Sequence, residues 1–372
     1  MWIKSVHLTS FRNYREAEVS LDPGVNLFLG RNAQGKTNLL EAMYVASAGR
    51  SYRAARDAEL VRWGDTCFRV ACSVQRKPAS VTLEVAYSLA GQKLVRLNAS
   101  ERIRAADLSS YLNVVMFTPD DLALVKGSPA DRRRFLDLEI SQVSPNYRHW
   151  LASYSKALLQ RNALLKRATS STRTADVLDP WDEQLVEFGS KIAARRAAVL
   201  DTLGVLGRIT HRRITGTQET LSIRYSPSVP LTEGSKAEQI AQAFREKLEK
   251  LRRAELIRGM TLAGPHRDDV SFEIDGVDAA AYGSQGQQRS IVLSLKLAEV
   301  EFIKSQMGEH PVLLLDDVLS ELDESRRGHL LSEVVGRYQA LVTSSEPESV
   351  RAMPPDSRRF NIASGSVTEV AS

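Results

Sequence analysis

The sequence predicts an α/β fold in which both ends of the chain build one mixed lobe and a mainly helical lobe is inserted between them. Three observations carry this. An apolar run containing Val25, Leu27 and Leu29 ends at Gly30, and the loop Gly30–Thr37 leads into a helix-like stretch, Thr37 to Ala48. Val312, Leu313, Leu314 and Leu315 are continuously apolar, as in a parallel strand covered on both faces, and end in Asp316 and Asp317. The apolar period turns helical near Ser128 and returns to alternation near Val270. The expected division is 1–115 and 263–372 for the mixed lobe and 116–262 for the helical one.

Within the first part, Val6 to Phe11 and Ala17 to Leu21 read as a hairpin. Arg69 to Val74, Ser80 to Leu89 and Lys93 to Leu97 alternate as antiparallel strands do, with Ala90-Gly91-Gln92 as a turn. Ser128-Pro129-Ala130-Asp131 supplies an N-cap, a proline at the first helical position and an acidic third residue. Ser144-Pro145 opens a second helix carrying Trp150, Leu151, Tyr154, Leu158, Leu164 and Leu165. Asp179-Pro180-Trp181 is read as the start of a third, reaching about His211, with the polar stretch Thr169–Thr174 as the intervening loop. Ser235 to Glu238 signals a further helix to about Ile257; Val270 to Ile274 is a strand, closed by the turn Asp275-Gly276.

The loop Gly30-Arg31-Asn32-Ala33-Gln34-Gly35-Lys36-Thr37 matches G-x-x-x-x-G-K-[ST]. A strand delivers it and a helix N-terminus receives phosphates, because unpaired N–H groups and the helix dipole favour anions. Lys36 is expected on the β/γ-phosphates, and the Thr37 hydroxyl on Mg²⁺. Asp316, at a strand's C-terminal end, is expected to hold that ion through water. Gly283-Ser284-Gln285-Gly286-Gln287 precedes a helix from about Gly286 to Ile303, which Ser284 could simply cap.

The three segments together resemble an ABC-type P-loop ATPase head (lobe I, α/β with antiparallel strands) with a mainly helical lobe II. The resemblance makes Ser284, Gly286 and Gln287 a signature acting on ATP held by another subunit. It gives Asp317 the place of a water-activating glutamate, and Ser320 and Asp323 that of a dimer-contacting segment. Aspartate is one methylene shorter than glutamate, so slow hydrolysis is expected, which suits a switch.

Composition sets limits. Hydrophobic content of 43% and charged content of 26% are ordinary for a globular protein. Met1 to Val6 reads as a strand and lacks a signal peptide's apolar core, and no run approaches a membrane span, so a cytoplasmic protein is expected. Cys67 and Cys72 have opposite strand parity, which argues against a disulfide between them; both are expected to be packing residues. A net charge of +5 admits nucleic acid as a partner. With aromatics at 6%, backbone contact with duplex is favoured over base stacking. Arg132-Arg133-Arg134, Arg195-Arg196, Arg212-Arg213 and Arg252-Arg253 dot the helical lobe as solvated surface or DNA contacts, without a means of choosing among them.

Further segments carry a more specific resemblance. Phe11-Arg12-Asn13-Tyr14, Leu124 to Pro129 with Arg132 to Asp137, Gln160 to Leu165, and Gly264-Pro265-His266-Arg267-Asp268-Asp269 are similar to those of the bacterial RecF family of recombination-repair proteins. The resemblance implies ATP-dependent dimerisation, binding to double-stranded or gapped DNA at the nucleoid, and weak DNA-stimulated ATPase activity. It also implies work with RecO and RecR to load RecA onto gapped, SSB-coated DNA, in support of replication restart and the SOS response. By the same resemblance Arg12 and Asn13 are expected to approach the nucleotide.

The chain departs from the general ABC pattern at three places. Gln285 replaces a signature glycine. Thr343, Ser344 and Ser345 stand where a γ-phosphate-sensing histidine is usual. The junction Phe117-Thr118-Pro119-Asp120-Asp121 lacks a glutamine, with Gln142 a distant candidate. His266 is open to a catalytic or a structural reading. Two other functions share the motifs. A transporter ATPase is disfavoured by the long helical insert, and an ATPase-coupled nuclease would need an acidic metal cluster, for which Asp268-Asp269 is the compact candidate.

Overall fold

The computed structural model describes residues 1–370 apart from Pro78, 168–172, 217, 218, 232, 233, 235 and 346–352. Thr169 to Thr172, expected as a loop, and Ser235, expected as a cap, lie outside the described residues. The chain forms two compact units: Met1–Asp121 with Lys296–Ser372, and Leu122–Leu295.

The N-terminal part of the first unit contains β1 (Trp2–Phe11), β2 (Tyr14–Ser20), β3 (Val25–Leu29), α1 (Lys36–Ala48), β4 (Cys67–Gln75), β5 (Ser80–Ser88), β6 (Lys93–Leu97), β7 (Glu101–Arg102) and β8 (Val114–Phe117). In the second unit follow α2 (Ala123–Lys126), α3 (Pro129–Val143), α4 (Pro145–Arg167), α5 (Arg173–Thr215), β9 (Leu221–Ser226), α6 (Ala237–Arg258), β10 (Asp269–Ile274), β11 (Val277–Asp278) and α7 (Ala279–Tyr282). Helix α8 (Gln285–Met307) carries the chain back to the first unit, which ends with β12 (Val312–Asp316), α9 (Glu324–Val334), β13 (Ala340–Ser344), β14 (Arg358–Ala363) and β15 (Ser366–Val370).

The first unit has two six-stranded sheets, ordered β2-β1-β4-β5-β6-β7 and β15-β14-β3-β13-β12-β8. The former is antiparallel throughout; in the latter β14, β3, β13, β12 and β8 run parallel. Helix α1 packs against β4 and β5 of one sheet and β12 and β13 of the other. That explains its sequence, since every residue from Leu39 to Ser47 is buried and, apart from Glu41 and Ser47, that stretch is apolar or aromatic. Strand β12 is buried along its whole length, and each of its fully covered apolar side chains stabilises the fold by about 1.5–3 kcal/mol. Gly49 ends α1 at φ +69°, where a Cβ would lie 2.8 Å from that of Ala105.

The second unit packs α5 against α4 and α6 and holds the sheet β11-β10-β9. It ends at Leu295 rather than at the expected residue 262, because β10 pairs with β9 of the inserted segment and thereby belongs with it. Helix α5 begins at Arg173, ahead of the expected Asp179-Pro180 start. Pro180 is inside the helix, and the cost of its missing N–H is borne by packing on α4 and α6. The alternation along β4 holds: Phe68, Val70, Cys72 and Val74 are buried, and neither cysteine is in a disulfide. Burial pushes the Cys72 thiol up to about 12. Cys67 is exposed, so the expectation that both cysteines pack is corrected: the strand end carries it past the core.

Candidate functional site

The loop between β3 and α1 is fixed from three sides. Gly30 has no room for a side chain, since a Cβ would lie 2.3 Å from the Ile362 carbonyl oxygen on β14. Gly35, at φ +121°, faces Asn13 and the Tyr14 hydroxyl, which donates to its carbonyl at 2.9 Å. Asn13 Nδ2 donates to the Gln34 carbonyl at 2.9 Å, and the β14–β15 turn adds Ser364 N–H to Gln34 Oε1 at 2.8 Å. Arg31, Asn32 and Ala33 are exposed at the loop's crown.

Lys36 Nζ donates to the carbonyls of Gly30 at 2.8 Å and Arg31 at 3.1 Å. Burial lowers its pKa, opposed by Asp317 and Asp316. Thr37 Oγ1 donates to Asp316 Oδ1 at 2.9 Å, so its lone pairs remain available to a cation. Thr343 Oγ1 donates to the same oxygen at 2.9 Å and accepts the Asp317 N–H at 2.9 Å. Burial raises the Asp316 pKa, partly offset by these two hydroxyls. Asp317 takes φ +54°, a left-handed conformation unusual outside glycine and asparagine-like residues. Its Oδ1 is buried with no hydrogen-bond partner among the described residues. A cavity of about 280 Å³ collects Asn32, Gly35, Lys36, Thr37, Arg53 and Asp317.

A larger cavity of about 730 Å³ has Asn38 and Arg53 in common with the first and extends to Arg12, Asn13, Val61 and Trp63. Two of its arginines, Arg12 and Arg53, are set by one carboxylate. Glu41, fully buried on α1, accepts Arg12 Nε and Nη2 at 2.8 Å each, Arg53 Nη2 at 2.7 Å and Ser51 Oγ at 2.6 Å. Burial would raise its pKa, but the two guanidinium groups and the hydroxyl outweigh that and hold it below the usual carboxylate range. The sequence reading missed Glu41, Asn38, Arg53 and Trp63. A glutamate within an otherwise apolar helix was the available signal.

The other expected site residues lie at helix starts, in a turn after Asp317 and on α3. Ser284 and Gln287 form a reciprocal cap at the start of α8: Ser284 N–H donates to Gln287 Oε1 at 2.9 Å, and Gln287 N–H to Ser284 Oγ at 3.1 Å. Ser284 is exposed and Gly286 half-buried. Gln287 Nε2 donates to Glu219 Oε1 at 2.9 Å. Ser320 Oγ donates to the Asp317 carbonyl at 2.6 Å, and Asp323 caps α9 through Arg326 N–H at 2.9 Å. Gln142 lies on α3 and donates to Glu139.

His266 is locked within the second unit, accepting from or donating to Tyr154 Oη at 2.7 Å and to the Thr261 carbonyl at 3.2 Å. The carbonyl fixes the proton on Nε2 and makes Nδ1 the acceptor, a structural role. Burial pulls the imidazole down from 6.5 to about 4. Between those values the unfolded chain binds a proton that the folded chain refuses. This group's contribution is whole above pH 6.5 and falls as the pH drops toward 4, by about 3 kcal/mol at most. His266→Gln is expected to flatten that part of the stability curve; urea unfolding at pH 7 and pH 4.5 measures it, and an unchanged slope rejects the assignment.

Of the arginines open to a surface or DNA-contact reading, Arg196 is buried, and Arg132, Arg133 and Arg252 are half-buried and bonded to acceptors distant in sequence. Arg132 forks onto Asp269 at 2.7 and 3.0 Å, and Arg133 donates to the Asp268 carbonyl at 2.7 Å. Arg196 is bonded to Asp137 and Asp268, while Arg252 pairs with Asp179 and Asp182. Asp268 also accepts from Tyr225 and from Ser228 N–H. These bonds consume Asp268 and Asp269, the nuclease candidate, and among the described residues no group of three or more His, Cys, Asp or Glu is arranged to hold a metal. Among the same residues no helix is long and apolar enough to cross a membrane.

The family model of the RecF/RecN/SMC N terminal domain matches residues 2–365. The DNA replication and repair protein RecF of Bacillus pumilus is 43% identical over 371 residues, covering 99% of this chain and 100% of that one. That of Oceanobacillus iheyensis is 42% identical over 351 residues, 94% of this chain and 95% of the relative. A solved structure of the recombination mediator protein RecF with ATPrS in the RecFOR pathway superposes with a TM-score of 0.93 at 34% identity, covering 100% of this chain and 98% of that one. An Smc head bound to the C-winged helix domain of ScpA, at 14% identity and a TM-score of 0.58, has the same fold over 100% of this chain and 97% of its own. The chain therefore belongs to the RecF family of DNA replication and repair proteins.

Proposed function

We propose that the chain binds ATP at the Gly30–Thr37 loop, closes on it as a homodimer, and uses slow hydrolysis to time release from DNA. The observation that carries the reading is that Lys36, Thr37 and Asp317 line one small cavity, with Asp316 bonded to Thr37 at 2.9 Å and with Asp317 Oδ1 lacking a hydrogen-bond partner among the described residues. Lys36 and the loop N–H groups bind the β- and γ-phosphates. Asp317 accepts a proton from the attacking water; its single methylene keeps turnover slow. The donor set also fits Mg²⁺: hydroxyl and carboxylate oxygens only, with Thr37 and Asp316 in contact at 2.9 Å. That ion would be held by Thr37 and Asp316 and would neutralise phosphate charge. Ser284, Gly286 and Gln287 act on the partner's γ-phosphate, with Ser320 and Asp323 at the dimer contact. Arg12 is a cavity wall fixed by Glu41, and Asn13 supports the loop.

The relatives' repair role and the RecFOR pathway of the solved structure support DNA, RecO and RecR as partners in RecA loading at gaps. Light scattering with and without Mg·ATP tests the switch. The expected result is a monomer that doubles its mass with ATP, and a Ser284→Arg variant that binds ATP yet stays monomeric. A mass that ignores bound ATP rejects the dimer reading.

A further inference from the structure

We infer that Trp63 is the residue that reads the nucleoside, stacking on the base of a nucleotide whose phosphates lie in the Gly30–Thr37 loop. The inference rests on the proposed nucleotide reading and extends it to base recognition. Trp63 is 95% exposed, an extreme value for the largest apolar side chain. Its backbone is nevertheless anchored: Arg62 N–H donates to the Ser10 carbonyl and Arg12 N–H to the Leu60 carbonyl, both at 2.8 Å, and Val61 bridges to Phe11. The adjoining Gly64 takes φ +89°, and Asp65 N–H closes the turn onto the Arg62 carbonyl at 3.0 Å. A rigid turn thus holds an indole in water at the rim of the 730 Å³ cavity.

Asn38 and Arg53 wall both this cavity and the phosphate cavity, so a ligand seated in the loop continues into the space bounded by Trp63. The same cavity is lined by Arg12 and Asn13, polar partners for a sugar, and by Trp63 and Val61, which offer an apolar face. An aromatic face selects a base by its π surface, so purines are favoured over pyrimidines by overlap.

The chain has four tryptophans. Binding of ATP, CTP and inorganic tripolyphosphate is measured by intrinsic fluorescence and by equilibrium dialysis on the whole protein and on Trp63→Ala and Trp63→Phe variants. ATP is expected to change the emission of the parent protein, and not that of Trp63→Phe. Trp63→Ala is expected to weaken ATP by about tenfold, CTP by less, and tripolyphosphate by no more than about twofold, with Trp63→Phe retaining most of the ATP affinity. Unchanged ATP affinity in Trp63→Ala, or an equal loss for tripolyphosphate, overturns the inference while leaving the loop reading intact. If neither ATP nor tripolyphosphate binds the parent protein, the nucleotide reading fails and this inference with it.

Discussion

Asp317→Asn is expected to bind ATP within about threefold of the parent and to hydrolyse it at least ~10²-fold more slowly. An amide has nearly the shape of the carboxylate and tolerates the left-handed backbone at this position, where φ is +54°. The Thr343 hydroxyl that accepts the Asp317 N–H at 2.9 Å is untouched by the change. What is lost is the basicity of Oδ1, a buried oxygen without a hydrogen-bond partner among the described residues. Phosphate release at saturating ATP, alongside equilibrium binding, gives the two quantities separately. Hydrolysis at the parent rate would place the proton-accepting group elsewhere and remove Asp317 from the reaction. A loss of binding equal to the loss of rate would make it a structural residue of the cavity.

Arg196→Ala is expected to destabilise the protein by about 3–5 kcal/mol. The side chain is 2% exposed and its fork is fully engaged, at 2.8 Å on Asp137, 2.7 Å on the Pro265 carbonyl, 3.1 Å on Tyr147 Oη and 3.4 Å on Asp268. Removing it leaves a buried Asp268 carboxylate and a partly buried Asp137 without their cation. Arg196→Lys should recover part of the loss, since an ammonium restores the charge without the planar fork. Urea unfolding followed by circular dichroism reads the difference against Arg212→Ala, an exposed position expected to shift stability by less than about 0.5 kcal/mol. A loss below about 1 kcal/mol for Arg196→Ala would mean the network is not a determinant of the fold. At 2% exposure Arg196 is covered, and its donors are taken up by these bonds.

Much of the phosphate site is legible along the chain because its chemistry is local. Gly30, Gly35, Lys36 and Thr37 sit at fixed spacing between a strand and a helix, and Asp316 closes a short apolar run that reads as a covered strand and is one. What periodicity could not supply is the set of partners. Glu41 lies in an apolar helix and gives no sign that Arg12 and Arg53 converge on it. Thr343 belongs to a different strand from Asp316, and only the parallel pairing of β12 with β13 brings its hydroxyl to that carboxylate.

The helical unit shows the same division. Ser128 and Pro129 announce the start of α3, because caps and prolines act through backbone groups a few residues away. Pro180 misleads for that very reason: its local preference is to begin a helix, and packing against α4 and α6 keeps it inside one. The arginine pairs could not be sorted, since charge alone does not say whether a carboxylate distant in sequence will meet it. By itself the sequence determined the α/β class, the phosphate loop, the acidic strand and the family, all carried by short-range patterns. The tertiary structure alone decided which arginines are buried, where the inserted unit ends, and that Trp63 stands exposed beside the phosphate cavity, because each depends on segments that only folding makes neighbours.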